Sequence, residues 1–250
     1  MPPVRHAALG VLLVPLMLGR LQAQGPDTIR VGNPAIASSL MPLTTDTVDD
    51  YVLNRGHRQL TGTTVRSIVL HQDGPDHVYE IRATSTGGGD TTFSTMAVRV
   101  RDLSLIFHRV KARSDSAAVT LSRDHLTGWV VLPNQPPVLL DRTLEHPVFG
   151  VEGQVPWLLP LLPFATGFRA VVPHFSQWSG VENWGAVVVV ASERVTVAAQ
   201  SFDCWKVDVG PLGPPGYRMY RWVDKQSRRV IQSVLRGTGT GPEYWSYLRL

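Results

Sequence analysis

Apolar and polar residues alternate with a period close to two along most of the chain after residue 47. In "HVYEIRAT", Tyr79 and Ile81 fall on one face and their polar neighbours on the other. The same pattern in "LSLIFHRV" predicts that Leu103, Leu105 and Phe107 share a face. A period of two is typical of a β-strand with one buried face. The pattern therefore predicts a mainly β protein built as a curved antiparallel sheet.

Glycine-rich and polar segments separate these strands. Gly87–Asp90 ("GGGD") is typical of a hairpin turn, because no helical pattern follows it that would make it a phosphate-binding loop. Asp224–Ser227 ("DKQS") predicts a second hairpin turn, and Gly210–Gly216 ("GPLGPPG") a rigid loop.

One apolar segment, "VPWLLPLLPF" at 155–164, does not alternate. Pro156 can begin a short helix, whereas Pro160 and Pro163 prevent a long one. The segment predicts a short helical plug that covers the apolar face of the sheet. The alternative is a lid over a lipid-sized cavity, or a lip that touches a membrane surface.

The first residues have the pattern of a secretory signal. Arg5 and His6 precede an apolar run, Ala7–Leu18, that is too short to span a bilayer. We expect a signal peptide at 1–23, cleaved after Ala23 or alternatively after Gln24, and a periplasmic or secreted protein. Residues 24–47 predict an extended leader, and residues 48–250 a single antiparallel β domain without a transmembrane span.

Charge and composition argue against nucleic-acid binding. The chain carries 24 Lys and Arg against 20 Asp and Glu. Its basic residues are spread singly along the strands, and no basic run is longer than Arg228–Arg229. A nucleic-acid surface needs clustered positive charge.

The sequence predicts no catalytic residue, metal ligand or cofactor. Cys204, the single cysteine, lies on a strand face with Phe202, opposite Trp205, and lacks the neighbouring histidine that activates a thiol. We interpret it as packing. His71 and His77 flank a turn and could face each other across a hairpin, but two imidazoles and turn aspartates are a weak metal pattern. Acid–base pairs assembled from distant residues leave no local pattern, so that alternative stays open.

Several longer segments resemble the DUF3108-type family of exported bacterial proteins. They are "LPLLPFATGF", "VVVVASERVTVAAQSFDCWKVDV" and "YRMYRWVDKQSRRVIQSVL" in the second half, with "DTVDDYVLNRGHRQLTGTTVRSIVL" and "LSLIFHRVKARSDSAAVTLSRDHLTGWVV" in the first. The family is similar to the lipoprotein-carrier fold, an incomplete β-barrel around a short helical plug. The resemblance covers most of the chain and implies no catalytic residue.

Aromatic residues concentrate in the second half, where core packing and an aromatic-lined cavity explain them about equally well. With the carrier resemblance, they suggest a cell-envelope protein that binds an apolar or lipid-like ligand. The predicted ligand-binding residues are Trp157, Leu159, Phe164, Phe168, Trp205, Tyr220 and Trp222. The alternatives are a structural or interaction module with an envelope protein partner and, third, a hydrolase.

Overall fold

The strands of this protein join into one large sheet. The computed structural model describes residues 27–151, 155–210, 217–237 and 242–250. Within these residues, 15 strands form a sheet that is curved but not closed. The predicted mainly β class and curved sheet are therefore confirmed. The predicted rigid loop, Gly210–Gly216, lies outside the described residues except for Gly210. The predicted signal peptide at 1–23 lies wholly outside them.

The strands follow one another in this order: β1 (Asp27–Thr28), β2 (Thr45–Asn54), β3 (His57–Asp73), β4 (Asp76–Gly87), β5 (Asp90–Arg99), β6 (Leu105–Lys111), β7 (Ser116–Ser122), β8 (His125–Val131), β9 (Val138–Thr143), β10 (Arg169–Ser176), β11 (Val181–Val197), β12 (Gln200–Val209), β13 (Tyr217–Asp224), β14 (Val230–Gly237) and β15 (Glu243–Leu248). Two short 3-10 helices, Ser38–Leu40 and Val155–Leu161, complete the described elements.

The sheet consists of two meanders. Strands β2 to β9 pair in sequence order, as do β10 to β15, and β15 pairs with β2 to join the two. All these pairs are antiparallel, whereas β1 pairs in parallel with β10. Because neighbours in sequence are mostly neighbours in space, the antiparallel sheet that the alternation predicts is built largely from successive strands.

The predicted leader contributes to the folded structure. Strand β2 begins at Thr45, three residues before the predicted domain boundary. Ile29 and Met41 are buried in the main core, and Ile29 donates a backbone hydrogen bond to Val171. Burial of apolar side chains therefore fixes at least part of residues 27–47 on the sheet.

Both predicted hairpin turns are confirmed. Gly88 and Gly89 connect β4 to β5 with φ of 60° and 80°. Glycine adopts this left-handed conformation readily because it has no Cβ. Residues after Asp224 connect β13 to β14, where the Asp224 carboxylate accepts a hydrogen bond from the Ser227 backbone N–H.

The prediction that Phe107 shares the buried face of Leu105 is wrong. A β-bulge shifts the pairing of β5 with β6, so that Leu105 lies opposite Val98 and Phe107 opposite Ala97. The extra residue reverses the alternation. His108 is consequently buried, whereas Phe107 is only half-buried and lies against the exposed Arg109 guanidinium.

The main core lies between the sheet and the connection from β9 to β10. Within that connection, the "VPWLLPLLPF" segment forms the seven-residue 3-10 helix Val155–Leu161, with Pro160 inside it. Proline lacks the N–H that an α-helix interior requires. The described side chains of this helix join one buried cluster with β4–β8 and β10–β13, and its fully buried members include Leu158, Leu159, Leu161 and Leu162.

Candidate functional site

A cavity of about 290 Å³ opens on the sheet beside the 3-10 helix Val155–Leu161. Seven neighbouring strands, β13–β14–β15–β2–β3–β4–β5, supply its wall, and Trp157 of the helix completes it. Strands this far apart in the order reach one cavity because the sheet is curved. Two strands of this wall carry a bulge, with Thr61 the extra residue in β3 and Ile231 the extra residue in β14, and bulges increase strand bending.

A row of polar side chains crosses the cavity wall from strand to strand. The Ser246 hydroxyl donates to the Asp50 carboxylate at 2.6 Å, and the Thr64 hydroxyl donates to the same carboxylate at 3.2 Å. Thr64 also bonds to the Ser85 hydroxyl at 2.9 Å. At the other end, the Arg221 Nη1 group donates to Ser233 at 3.2 Å. Hydroxyls and charges in this number are unusual on the inner face of a β-sheet.

Arg221 is the most perturbed cation of this wall. Its Nη2 group contacts the thioether sulphur of Met219 at 3.3 Å, and its buried Nε has no hydrogen-bond partner among the described residues. Burial, and then the positive charge of Arg66, lower the pKa of Arg221 to about 10, although Asp50 opposes the shift. Arg221 is still protonated at neutral pH, so this part of the cavity carries a cation.

A buried carboxylate holds the neighbouring cations. Asp46 is 3% exposed, and its two oxygens accept from Arg66 at 3.3 Å and from Arg229 at 2.7 Å. With Arg221 and Asp50, this region of the protein contains three guanidinium groups and two carboxylates. The residues that line the cavity itself include two guanidinium groups, Arg66 and Arg221, and one carboxylate, Asp50.

Trp157 adds a second donor without a partner. Its side chain is 3% exposed and lines the cavity, and its buried indole Nε1 has no hydrogen-bond partner among the described residues. A buried N–H without an acceptor destabilises a protein by about 1–3 kcal/mol. An oxygen atom of a bound molecule could supply the missing acceptor.

A buried hydrogen-bonded chain reaches the cavity from the other side. Ser94 of β5 lines the cavity, and its hydroxyl lies 3.0 Å from Nε2 of His108 in β6. Nδ1 of His108 lies 3.0 Å from Oε1 of Gln177, which follows β10. Burial lowers the pKa of His108, although the Gln177 hydrogen bond opposes the shift. The imidazole is therefore neutral at neutral pH, with Nδ1–H donating to Gln177 and Nε2 accepting from Ser94.

Of the seven predicted ligand-binding residues, the structure places Trp157 on the cavity wall. Leu159 is fully buried in the main core. Phe164 and Phe168 pack edge to face, 5.3 Å between ring centroids, at the end of the helical segment. Trp205 lies against the main core with the Lys225 ammonium 4.3 Å from its ring.

The remaining two predicted residues lie apart from the cavity. Trp222 belongs to a second buried cluster together with Cys204, and the half-buried Tyr220 packs against this cluster, on the side of β13 opposite Arg221. Trp222 stacks on Trp245, with 6.4 Å between the ring centroids. The structure therefore does not bring the seven residues together in one cavity, and their role in ligand binding stays a prediction.

Cys204 is fully buried, and the predicted faces of β12 are confirmed, since Val207 lies in the main cluster and Cys204 in the second. Burial and the nearby Asp224 and Asp203 carboxylates raise the pKa of the Cys204 thiol to about 12. The thiol is protonated at neutral pH and cannot act as a nucleophile there.

We expect Cys204→Ala to lower the free energy of unfolding by about 1 kcal/mol, because it removes one small buried side chain. A maleimide reagent should modify native wild-type protein slowly at pH 7 and denatured protein rapidly. Rapid modification of the native protein would contradict the packing interpretation.

His71 and His77 do not face each other. His71 pairs with Val78 and His77 with Gln72, so the two imidazoles lie on opposite faces of the β3–β4 hairpin. Asp76 instead pairs with Arg99 and Arg101. Among the residues described, no group of three or more His, Cys, Asp or Glu side chains is arranged to hold a metal ion.

Sequence reasoning missed Arg221, Asp46, Ser94 and His108. A signal for Arg221 was present in "YRMYRWVD", where alternation places Arg221 on the face of Val223, which belongs to the core. A cation at an inward position is a candidate binding residue, because burial of an unpaired charge is costly. Ser94 and His108 carry no such local signal.

No protein-family model and no curated protein matches this chain. In the part of the chain that the structure describes, no helix has the length and apolar character needed to cross a membrane.

Proposed function

We propose that this protein binds a small amphipathic molecule with an anionic group in the cavity between β13 and β5. The observation that carries the proposal is Arg221, a cation on the cavity wall whose buried Nε–H has no acceptor among the described residues. A carboxylate or phosphate oxygen fits this position, because guanidinium N–H groups form their strongest hydrogen bonds with such anions.

The charge balance of the region supports an anion. The cavity lining holds the guanidinium groups of Arg66 and Arg221 and the carboxylate of Asp50, and a ligand with one negative charge would balance them. Such a ligand would also accept from Trp157 Nε1 and from the hydroxyls of the polar row. It would thereby satisfy donors that are costly to leave unpaired in a buried site.

The rest of the cavity wall supports an apolar part of the ligand. Aliphatic side chains from β2, β4, β14 and β15 line it, namely Val48, Ile81, Ala83, Val230, Ile231 and Leu248. The volume of about 290 Å³ lies at the lower end of the range for small-molecule sites. In this proposal the helix Val155–Leu161 acts as the plug of an incomplete barrel, and the ligand is a short-chain carboxylate or a similar lipid-like anion.

The setting we propose is the cell envelope. It is supported by the signal-like pattern at residues 1–23 and by the resemblance to DUF3108-type exported proteins and the lipoprotein-carrier fold. A carrier or sensor of small amphiphiles is compatible with this location. Fold resemblance alone is a weak argument for function, so the proposal depends on the cavity.

Binding can be tested with a fluorescent medium-chain fatty acid and its uncharged alcohol analogue. We expect wild-type protein to bind the acid more tightly than the alcohol. Arg221→Met should weaken binding of the acid by roughly 10- to 100-fold, the value of one charge-assisted hydrogen bond, and should leave binding of the alcohol little changed.

Arg218→Met is the matched control, because Arg218 lies on the same strand and is 68% exposed, with Asp208 as its partner. It should bind both probes like wild type. If Arg221→Met binds the acid as tightly as wild type, the anion site is wrong. If folded wild-type protein binds neither probe, the binding proposal fails and the interaction-module alternative is favoured.

A further inference from the structure

Ser94, His108 and Gln177 form a connected set that the proposed binding function does not require. The three side chains come from β5, β6 and the turn after β10, and they are 9%, 1% and 3% exposed. We propose that Ser94 is a nucleophile, activated by His108, that hydrolyses a carboxylic ester bound in the cavity. The inference rests on the proposed function in that the same cavity holds the substrate.

The arrangement has the geometry that an activated serine needs. A nucleophilic hydroxyl requires a base within hydrogen-bond distance and a third group that orients the base. The distances from Ser94 Oγ to His108 Nε2 and from His108 Nδ1 to Gln177 Oε1 are both 3.0 Å. The Gln177 carbonyl holds Nδ1 protonated, which leaves the lone pair of Nε2 directed at the Ser94 hydroxyl. Gln177 is therefore a positioning residue.

The position of the chain favours a reactive role. Ser94 is the member of the chain that lines the cavity, whereas His108 and Gln177 are buried and do not line it. Trp157 lines the same cavity, and its buried Nε1–H has no partner among the described residues. It is the donor that we assign to the carbonyl oxygen of the ester, on which negative charge develops. Arg221 would hold an anionic group elsewhere in the substrate.

The reaction proceeds in two steps, acylation of Ser94 and hydrolysis of the acyl-serine. Ser94 Oγ forms a bond to the ester carbonyl carbon while its proton moves to His108 Nε2. The carbon–oxygen bond to the alcohol then breaks, and the alcohol oxygen takes the proton from Nε2. A water molecule attacks the resulting acyl-serine and gives a proton to Nε2. Cleavage of the acyl–Oγ bond returns that proton to Ser94 and releases the carboxylic acid.

A fluorophosphonate probe tests the inference independently of ligand affinity. It forms a phosphorus–oxygen bond with an activated serine and releases fluoride, and peptide mass spectrometry locates the modified residue. We expect modification of wild-type protein at Ser94 and none of Ser94→Ala. His108→Gln should lower the rate of modification by about 10²- to 10⁴-fold, the usual contribution of a general base.

Ser104→Ala is the matched control, because Ser104 is buried like Ser94 but bonds to Arg99 rather than to a histidine and does not line the cavity. It should be modified at Ser94 at the wild-type rate. If His108→Gln does not fold, the comparison of wild type with Ser94→Ala decides the question, since alanine fits the space of serine. Folded wild-type protein that is unmodified, or modified at another serine, overturns the inference. If that protein still binds the fatty acid, the proposed binding function is unaffected. If wild-type protein neither reacts at Ser94 nor binds the fatty acid, both the hydrolase inference and the binding proposal are overturned.

Discussion

Leu159→Ala is expected to lower the free energy of unfolding by about 2–5 kcal/mol. Leu159 is fully buried in the helix Val155–Leu161, among side chains of the main core. Truncation removes its apolar contacts and leaves a cavity that a close-packed core fills poorly. Urea unfolding followed by circular dichroism measures the change, provided that the denaturant slope stays the same.

Leu139→Ala is the control for this prediction, because Leu139 is 80% exposed on the edge strand β9. It should change the free energy of unfolding by less than about 0.5 kcal/mol. A different outcome for Leu159→Ala would identify the helix Val155–Leu161 as a lid over the cavity. If Leu159→Ala barely changes the melting temperature but weakens fatty-acid binding, its contacts are with the ligand rather than with the core.

Asp46→Ala is expected to lower the free energy of unfolding by about 3 kcal/mol, the lower end of the range for a broken buried ion pair. Its carboxylate is 3% exposed and joins β2 to Arg66 of β3 and to Arg229 in the β13–β14 connection. Removal leaves two guanidinium groups without this partner. The loss is at the lower end because the two arginine side chains are 23% and 29% exposed and water can reach them.

Asp141→Ala is the matched control, since the Asp141 side chain is 79% exposed and faces His125 at 3.2 Å. An exposed pair contributes about 0–1 kcal/mol, so this variant should unfold close to the wild-type urea midpoint. If Asp46→Ala also unfolds close to the wild-type urea midpoint, the buried carboxylate does not hold the two meanders together. Combining Asp46→Ala with Arg66→Met should recover part of the loss, because one unpaired cation is then absent.

The strand pattern was predictable because alternation is a local property. Residues 79–83 and 202–209 alternate, and successive side chains of a strand point to opposite faces, so their side chains lie where the sequence predicts. The failure at Phe107 has an equally local cause. A bulge adds one residue to β6, and one residue is enough to exchange the two faces of a strand. Nothing in "LSLIFHRV" indicates where that extra residue falls.

The predicted ligand-binding residues show that aromatic composition alone does not locate a binding site. Aromatic side chains are suitable for a cavity and for a core, and the sequence does not distinguish the two environments. The structure places Trp157 on the cavity wall but Trp222 in a second cluster on the other side of its strand. The side chains that give the cavity its chemical character are mainly charged and hydroxyl groups, which the aromatic argument overlooked.

The sequence by itself determined the β class, the hairpin turns, the faces of strands such as β12 and the buried role of Cys204. These depend on residues within a few positions of one another. Only the tertiary structure decided the cavity, the Asp46 ion pairs and the Ser94–His108–Gln177 chain. Their partners are far apart in sequence, 183 residues for Asp46 and Arg229 and 69 for His108 and Gln177. Such contacts depend on how the whole sheet curves and how β15 pairs with β2, and no local pattern of residues encodes that geometry.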